Sequence, residues 1–141
     1  MNGNLISLFI LPSSIAGLQP SLPPQPVIPQ HIICSISRPS QVVKVFPVEK
    51  AALRSVDSIG ANFRFTPEKK AELGSFQLFV DGVNVTSQSR ISGTRDDLPS
   101  RTRIAYTPNN FQPGIHQAEV RYHTVDGAQT CYRWSFQLKR S

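Results

Sequence analysis

Two cysteines, three histidines and a few neighbouring acids are the residues of this 141-residue chain whose types could do chemistry. Nucleophilic catalysis needs a Ser or Cys beside a His that an acid orients. His31 sits among prolines, His116 follows a Pro113-Gly114 turn, and His123 lies near Asp126 and Cys131. In the hairpin register argued below, Cys131 falls diagonally from His123 on an outer sheet face. A flat, solvated surface gives no pocket in which a thiolate is activated. The chain reads as non-enzymatic.

Metal and phosphate chemistry fare no better. Cys34 and Cys131 offer two thiols without a CxxC or HxxxH spacing, which is short of a zinc site. They are instead candidates for a disulfide tying an N-terminal strand to the last one, in an oxidising compartment. Asp96-Asp97 is a pair of acids without a third, weak for calcium. There is no glycine-rich phosphate loop. No cofactor is expected. Asn84-Val85-Thr86 spells a glycosylation acceptor.

A net charge of +6 suits an anionic partner. The basic residues form no run, however, and Arg90, Arg95, Arg101 and Arg103 enclose Asp96-Asp97. Their plain reading is a solvated loop of mixed charge. Ser92–Ser100 is the longest irregular stretch of the folded part, bounded by Ile91 and Ile104. It carries the candidate interaction residues Arg95, Asp96 and Asp97, with Arg101 just beyond; arginine is favoured at contacts for its bidentate geometry. Another protein is the expected partner, with carbohydrate second. Nucleic acid is disfavoured, because most aromatics stand at inward parity rather than among exposed basic residues.

The elements that must position these residues begin at Arg38. No Lys, Arg, Asp or Glu precedes it, and six of the twelve prolines do. Residues 1–37 therefore read as a non-globular leader and 38–141 as one folded domain. Within the leader, Leu5–Leu11 is a short apolar run, far below the ~20 residues that span a bilayer. Ser14-Ile15-Ala16 places small residues where a signal peptidase cuts, so residues 1–16 are a signal-like segment and Gly17–Gln30 a Pro-rich spacer. This points to an extracellular or cell-envelope location; without a working signal, the chain is cytoplasmic or complex-bound.

From Arg38 onward the apolar pattern has period two. The runs are Gln41–Phe46, Ser58–Phe65, Ser75–Val80, Val83–Ser89, Arg101–Tyr106, Ile115–Thr124 and Thr130–Leu138. Seven short strands with turn signals between them predict an all-β sandwich or barrel. Pro67–Leu73, closed by Gly74, is the one helical candidate. Asp81-Gly82 fits a two-residue type I′ turn that pairs Val80 with Val83 and Leu78 with Val85, all on the core face. Around Asp126-Gly127, only a three-residue loop, Val125–Gly127, pairs Val120 with Tyr132 and Ala118 with Trp134. It also leaves Cys131 on the outer face beside Arg133 and opposite Arg121. Trp134 reads as the centre of the core, against a minor role as a stacking platform.

"FQLFVDGVNVTS" and the later "YTP", "PGIH", "VDG" and "WSF" segments resemble the bacterial Ig-like domains of secreted and cell-surface proteins. The likeness spans about Gln41 to Leu138. It implies an immunoglobulin-like sandwich preceded by the Pro-rich leader, with a structural rather than glycosylated role for Asn84. The function expected is a non-catalytic binding module of the cell envelope or an extracellular assembly. The rival is a purely architectural subunit of a larger complex, its leader ordering on a partner.

Overall fold

The computed structural model describes residues 33–72, 74–93 and 101–140. It is all-β, with two sheets. Strands run β1 Val42–Phe46, β2 Ala52–Leu53, β3 Ile59–Arg64, β4 Gln77–Val80, β5 Val83–Asn84, β6 Arg90–Ser92, β7 Arg101–Tyr106, β8 Gly114–His123 and β9 Gln129–Leu138. One sheet is ordered β1-β3-β7-β6 and the other β2-β9-β8-β4-β5. Set aside the short β2 and β5, and the seven remaining strands divide as in an immunoglobulin sandwich: first, second, fifth and fourth against third, sixth and seventh. The alternation of apolar residues along each strand fills the space between the sheets.

Local turn chemistry sets the register. Asp81 and Gly82 both have positive φ, 50° and 81°, and Val80 pairs with Val83 as a type I′ turn requires. The final hairpin closes on Val125–Gly127 with Gly127 at φ 90°, and Ala118 faces Trp134 while Val120 faces Tyr132. Two expectations on the first hairpin need correction. Val83, placed on the core face, is 62% exposed, because it sits at the hairpin tip beyond the facing sheet. The run Val83–Ser89 is no single strand. The Asn84 Oδ1 accepts from the Thr86 amide and hydroxyl at 3.0 and 2.6 Å, and Leu78 N donates to the Thr86 hydroxyl at 2.9 Å. This turns the chain into a 3-10 turn at Thr86–Gln88, from which β6 joins the opposite sheet. The helical candidate is likewise reduced to a 3-10 turn, Pro67–Lys69, since Lys70 is already extended and Ala71 bridges to Thr124.

An aromatic cluster occupies the centre of the core. Phe63 meets Phe76 at 5.0 Å and Tyr122 edge-on at 5.2 Å, and Phe65 adjoins all three. Burial pushes the Tyr122 hydroxyl up to about 12; it donates to Gln41 Oε1 at 3.0 Å. Trp134 is buried in the same core without stacking on these four rings. It stacks on Tyr132 and donates its indole N–H to the Pro47 carbonyl at 2.9 Å, where the chain passes from β1 toward β2. The described residues ahead of Arg38 are tied to the sandwich: Ser35 pairs in parallel with Tyr132, and Cys34 is bonded to Cys131. Residues 1–32, with the signal-like segment and the spacer, lie outside the described residues.

Candidate basic face

The outward side chains of the four-stranded sheet follow from its register. One row across it is Phe46, Gly60, Ala105 and Arg90; the next is Lys44, Asn62, Arg103 and Ser92; the third places Arg64 directly opposite Arg101. The inward partners on the same strands are Val45, Ile59, Ala61, Phe63, Thr102 and Ile104, all buried. The face thus carries five cations. A bulge between Val42 and Lys44 turns both Val43 and Lys44 outward and brings the lysine into this set.

Among the described residues, none of the five has a carboxylate within ion-pair distance; the ion pairs involve Arg38, Arg121, Arg133, His116 and His123. Directly opposed side chains in an antiparallel pair stand about 4.5–5.5 Å apart at Cβ, and like charges there are destabilising. Arg64 and Arg101 are opposed in this way. Arg103 is held more firmly than its neighbours. Its Nη1 donates to Asn62 Oδ1 at 3.2 Å, and its guanidinium lies 4.3 Å from the centroid of the Phe46 ring. Gly60 makes room for this ring: a Cβ there would come within 2.9 Å of Phe46 Cζ and 1.9 Å of the Ile104 carbonyl oxygen. Between the arginines runs an open groove of about 400 Å³, lined by Val43, Lys44, Asn62, Arg64, Ser92 and the β7 arginines.

Of the interaction residues read from the sequence, Arg95, Asp96 and Asp97 fall outside the described residues. Arg101 is the first residue of β7 and faces the groove. Arg90 and Arg103, grouped by sequence with a solvated loop, stand on β6 and β7. Lys44 and Arg64 were not anticipated as site residues. Their outward parity was readable, but their meeting with the β7 arginines depends on β3 pairing with β7.

The other chemistry-bearing groups are engaged. Cys131 was placed on the outer face of the five-stranded sheet; it lies on that face but is only 3% exposed, because Cys34 and Ser35 cover it. The two sulfurs are bonded, at 1.97 Å, with the Glu119 carboxylate close by. Glu119 accepts from Arg133 at 2.9 and 3.1 Å and from Arg121. Both ring nitrogens of His116 lie within hydrogen-bond distance of acceptor oxygens, Asp81 Oδ2 at 2.7 Å and the Gln112 carbonyl at 2.6 Å, and the ring stacks on Phe111. It clamps the Asp81-Gly82 hairpin to the turn before β8, leaving neither nitrogen facing a nucleophile. Near the domain's N-terminal edge, Arg38 grips Glu49 through two hydrogen bonds and caps the Val43 carbonyl on the outer edge of β1. Hydrogen bonding from Arg38 holds the Glu49 carboxyl down at about 2, and burial pushes Tyr132, which donates to Glu49 at 2.6 Å, up to about 12.

No protein-family model and no curated protein matches the sequence. Among solved structures, the chain is similar to CopC from Methylosinus trichosporium OB3b, with a TM-score of 0.49 and 16% identity over 70% of this chain and 92% of that one. It is also similar to PcoC, a copper resistance protein from Escherichia coli, with a TM-score of 0.45 and 11% identity over 70% and 98%. At these values no residue role transfers. Copper favours thiolate, thioether and imidazole donors. Here both sulfurs of the Cys34–Cys131 pair are in a disulfide, His116 is fully engaged, His123 lies 3.7 Å from Glu72, and the single methionine is Met1. The described residues do not assemble a copper site.

Proposed function

We propose that the chain is a non-catalytic binding module of the bacterial Ig-like kind, which engages an anionic partner through the outer face of its four-stranded sheet. One observation carries the reading: Lys44, Arg64, Arg90, Arg101 and Arg103 share that face without a carboxylate partner among the described residues, two of them directly opposed. A protein keeps such a face at a cost in stability, and an anionic partner relieves it. The engaged ring of His116 and the bonded cysteines support the absence of catalysis. A disulfide persists in oxidising compartments, which supports placing the module in the cell envelope or outside the cell. Among the described residues, no helix is long and apolar enough to cross a membrane.

Retention of the full chain on immobilised poly-L-glutamate tests this. Wild type should bind at low salt and elute at 1 M, where the Debye length is about 3 Å. Combined Arg64→Ala and Arg101→Ala should abolish retention, while Lys139→Ala with Arg140→Ala, the same loss of charge elsewhere, should not. Equal weakening by both pairs would reduce the attraction to net charge and defeat the reading.

A further inference from the structure

We propose that the groove on the four-stranded sheet is a subsite for a sugar phosphate, with Arg103 as its central contact; this rests on the anion-binding reading above and narrows it to a ligand class. Charge comes first. A ligand seated in the groove faces Arg64, Arg101 and Arg103 together, with Lys44 across Asn62. A lone carboxylate neutralises one of these and leaves the opposed arginines repelling. A phosphomonoester brings about −1.5 to −2 charges at neutral pH and three acceptor oxygens. It meets the whole cluster.

Geometry agrees. Asn62 occupies one nitrogen of Arg103 and Phe46 covers one face of its guanidinium, so the orientation is set before a ligand arrives. A planar fork fixed in this way recognises phosphate oxygens in pairs, which an ammonium does not. Size selects the scaffold. About 400 Å³ exceeds what a bare phosphate fills and falls within the range of small-molecule sites, roughly 300–1,000 Å³. The neutral lining groups, Asn62 and Ser92, suit hydroxyls. Phe46, the ring on this face, already has Arg103 over one side, which a nucleobase would have to displace to stack there.

Calorimetric titration of the full chain with glucose 6-phosphate, glucose 6-sulfate, inorganic phosphate, glucose and AMP tests the assignment. Glucose 6-phosphate should bind at least about tenfold tighter than the sulfate, which has the same three acceptor oxygens but carries less charge, and than the inorganic ion or AMP, and glucose not at all. Arg103→Lys should lose about tenfold for glucose 6-phosphate, with its melting temperature unchanged, because it keeps the charge and loses the fork. Comparable binding of the sulfate, inorganic phosphate or AMP would overturn the inference, as would an Arg103→Lys variant equal to wild type. Retention on poly-L-glutamate without any sugar phosphate binding would overturn the subsite and leave the broader reading standing. Failure of both would remove both.

Discussion

Arginines stand on the outer faces of both sheets, in opposite company. On the five-stranded sheet, Arg121 and Arg133 converge on Glu119, whose side chain is only 10% exposed, and Arg121 also lies over the Phe79 ring. The Cys34–Cys131 disulfide and Ser35 lie over the same region. There, the arginines share a largely covered carboxylate. On the four-stranded sheet, five cations share a face with Asn62, Ser92 and Phe46, and no acid among the described residues answers them. The same residue type therefore serves as structural cement on one face and, among the described residues, has no carboxylate partner on the other. The difference lies in the neighbours.

The largest effects should come from breaking the closed side. Trp134→Ala removes a buried aromatic and the partner of the Pro47 carbonyl, and should cost about 3–5 kcal/mol in chemical denaturation. A loss under about 1 kcal/mol would mean that the ring is solvated. Replacing both cysteines by serine releases a crosslink between positions 97 residues apart, at an expected cost of about 2–4 kcal/mol by the same measurement. Glu119→Ala leaves two half-exposed guanidinium groups without their acceptor; a loss of about 1–3 kcal/mol is expected. If Glu119→Ala proves neutral, the matched face is no more cemented than the open one.

How much of this was legible follows from range. Both DG hairpins, their loop lengths and the pairing of Ala118 with Trp134 could be read from adjacent residues, because parity and turn chemistry act locally. The diversion of the chain at Asn84 was harder to read: the side-chain hydrogen bonds of Thr86 with Asn84 and Leu78 outcompete a continued ladder, and β6 crosses to the other sheet. The basic face was invisible for a related reason. Arg64 and Arg101 are far apart in the chain, and only the pairing of β3 with β7 puts them opposite each other. Sequence grouped the β6 and β7 arginines with Asp96-Asp97, which lie outside the described residues, by proximity along the chain; the sheet adds Lys44 and Arg64 to those arginines. The covering of Cys131 by Ser35 was likewise a long-range event.

A smaller effect sharpens the closed side by pH. The Glu49 carboxyl is held at about 2 in the fold, against about 4.5 unfolded, chiefly by its hydrogen bonds from Arg38. Its folded value is depressed, so its contribution is present above about pH 4.5 and fades as pH falls through 2. The pair is partly exposed, which limits that contribution to on the order of 1 kcal/mol. Glu49→Gln should lower stability at pH 7 by that amount and flatten the fall between pH 5 and 2; an unchanged acid limb would assign the fall to other carboxylates.

The smallest effect bears most directly on the contrast between the faces, and its sign matters more than its size. If Arg64 and Arg101 face each other without a compensating acid, Arg64→Gln relieves repulsion. Urea denaturation at low salt should then show the variant more stable than wild type by about 0.2–1 kcal/mol. At 1 M salt, where charges are screened beyond about 3 Å, the gain should vanish. A variant less stable than wild type at low salt, with the loss erased by salt, would mean that a carboxylate already neutralises this face, and would contradict the account.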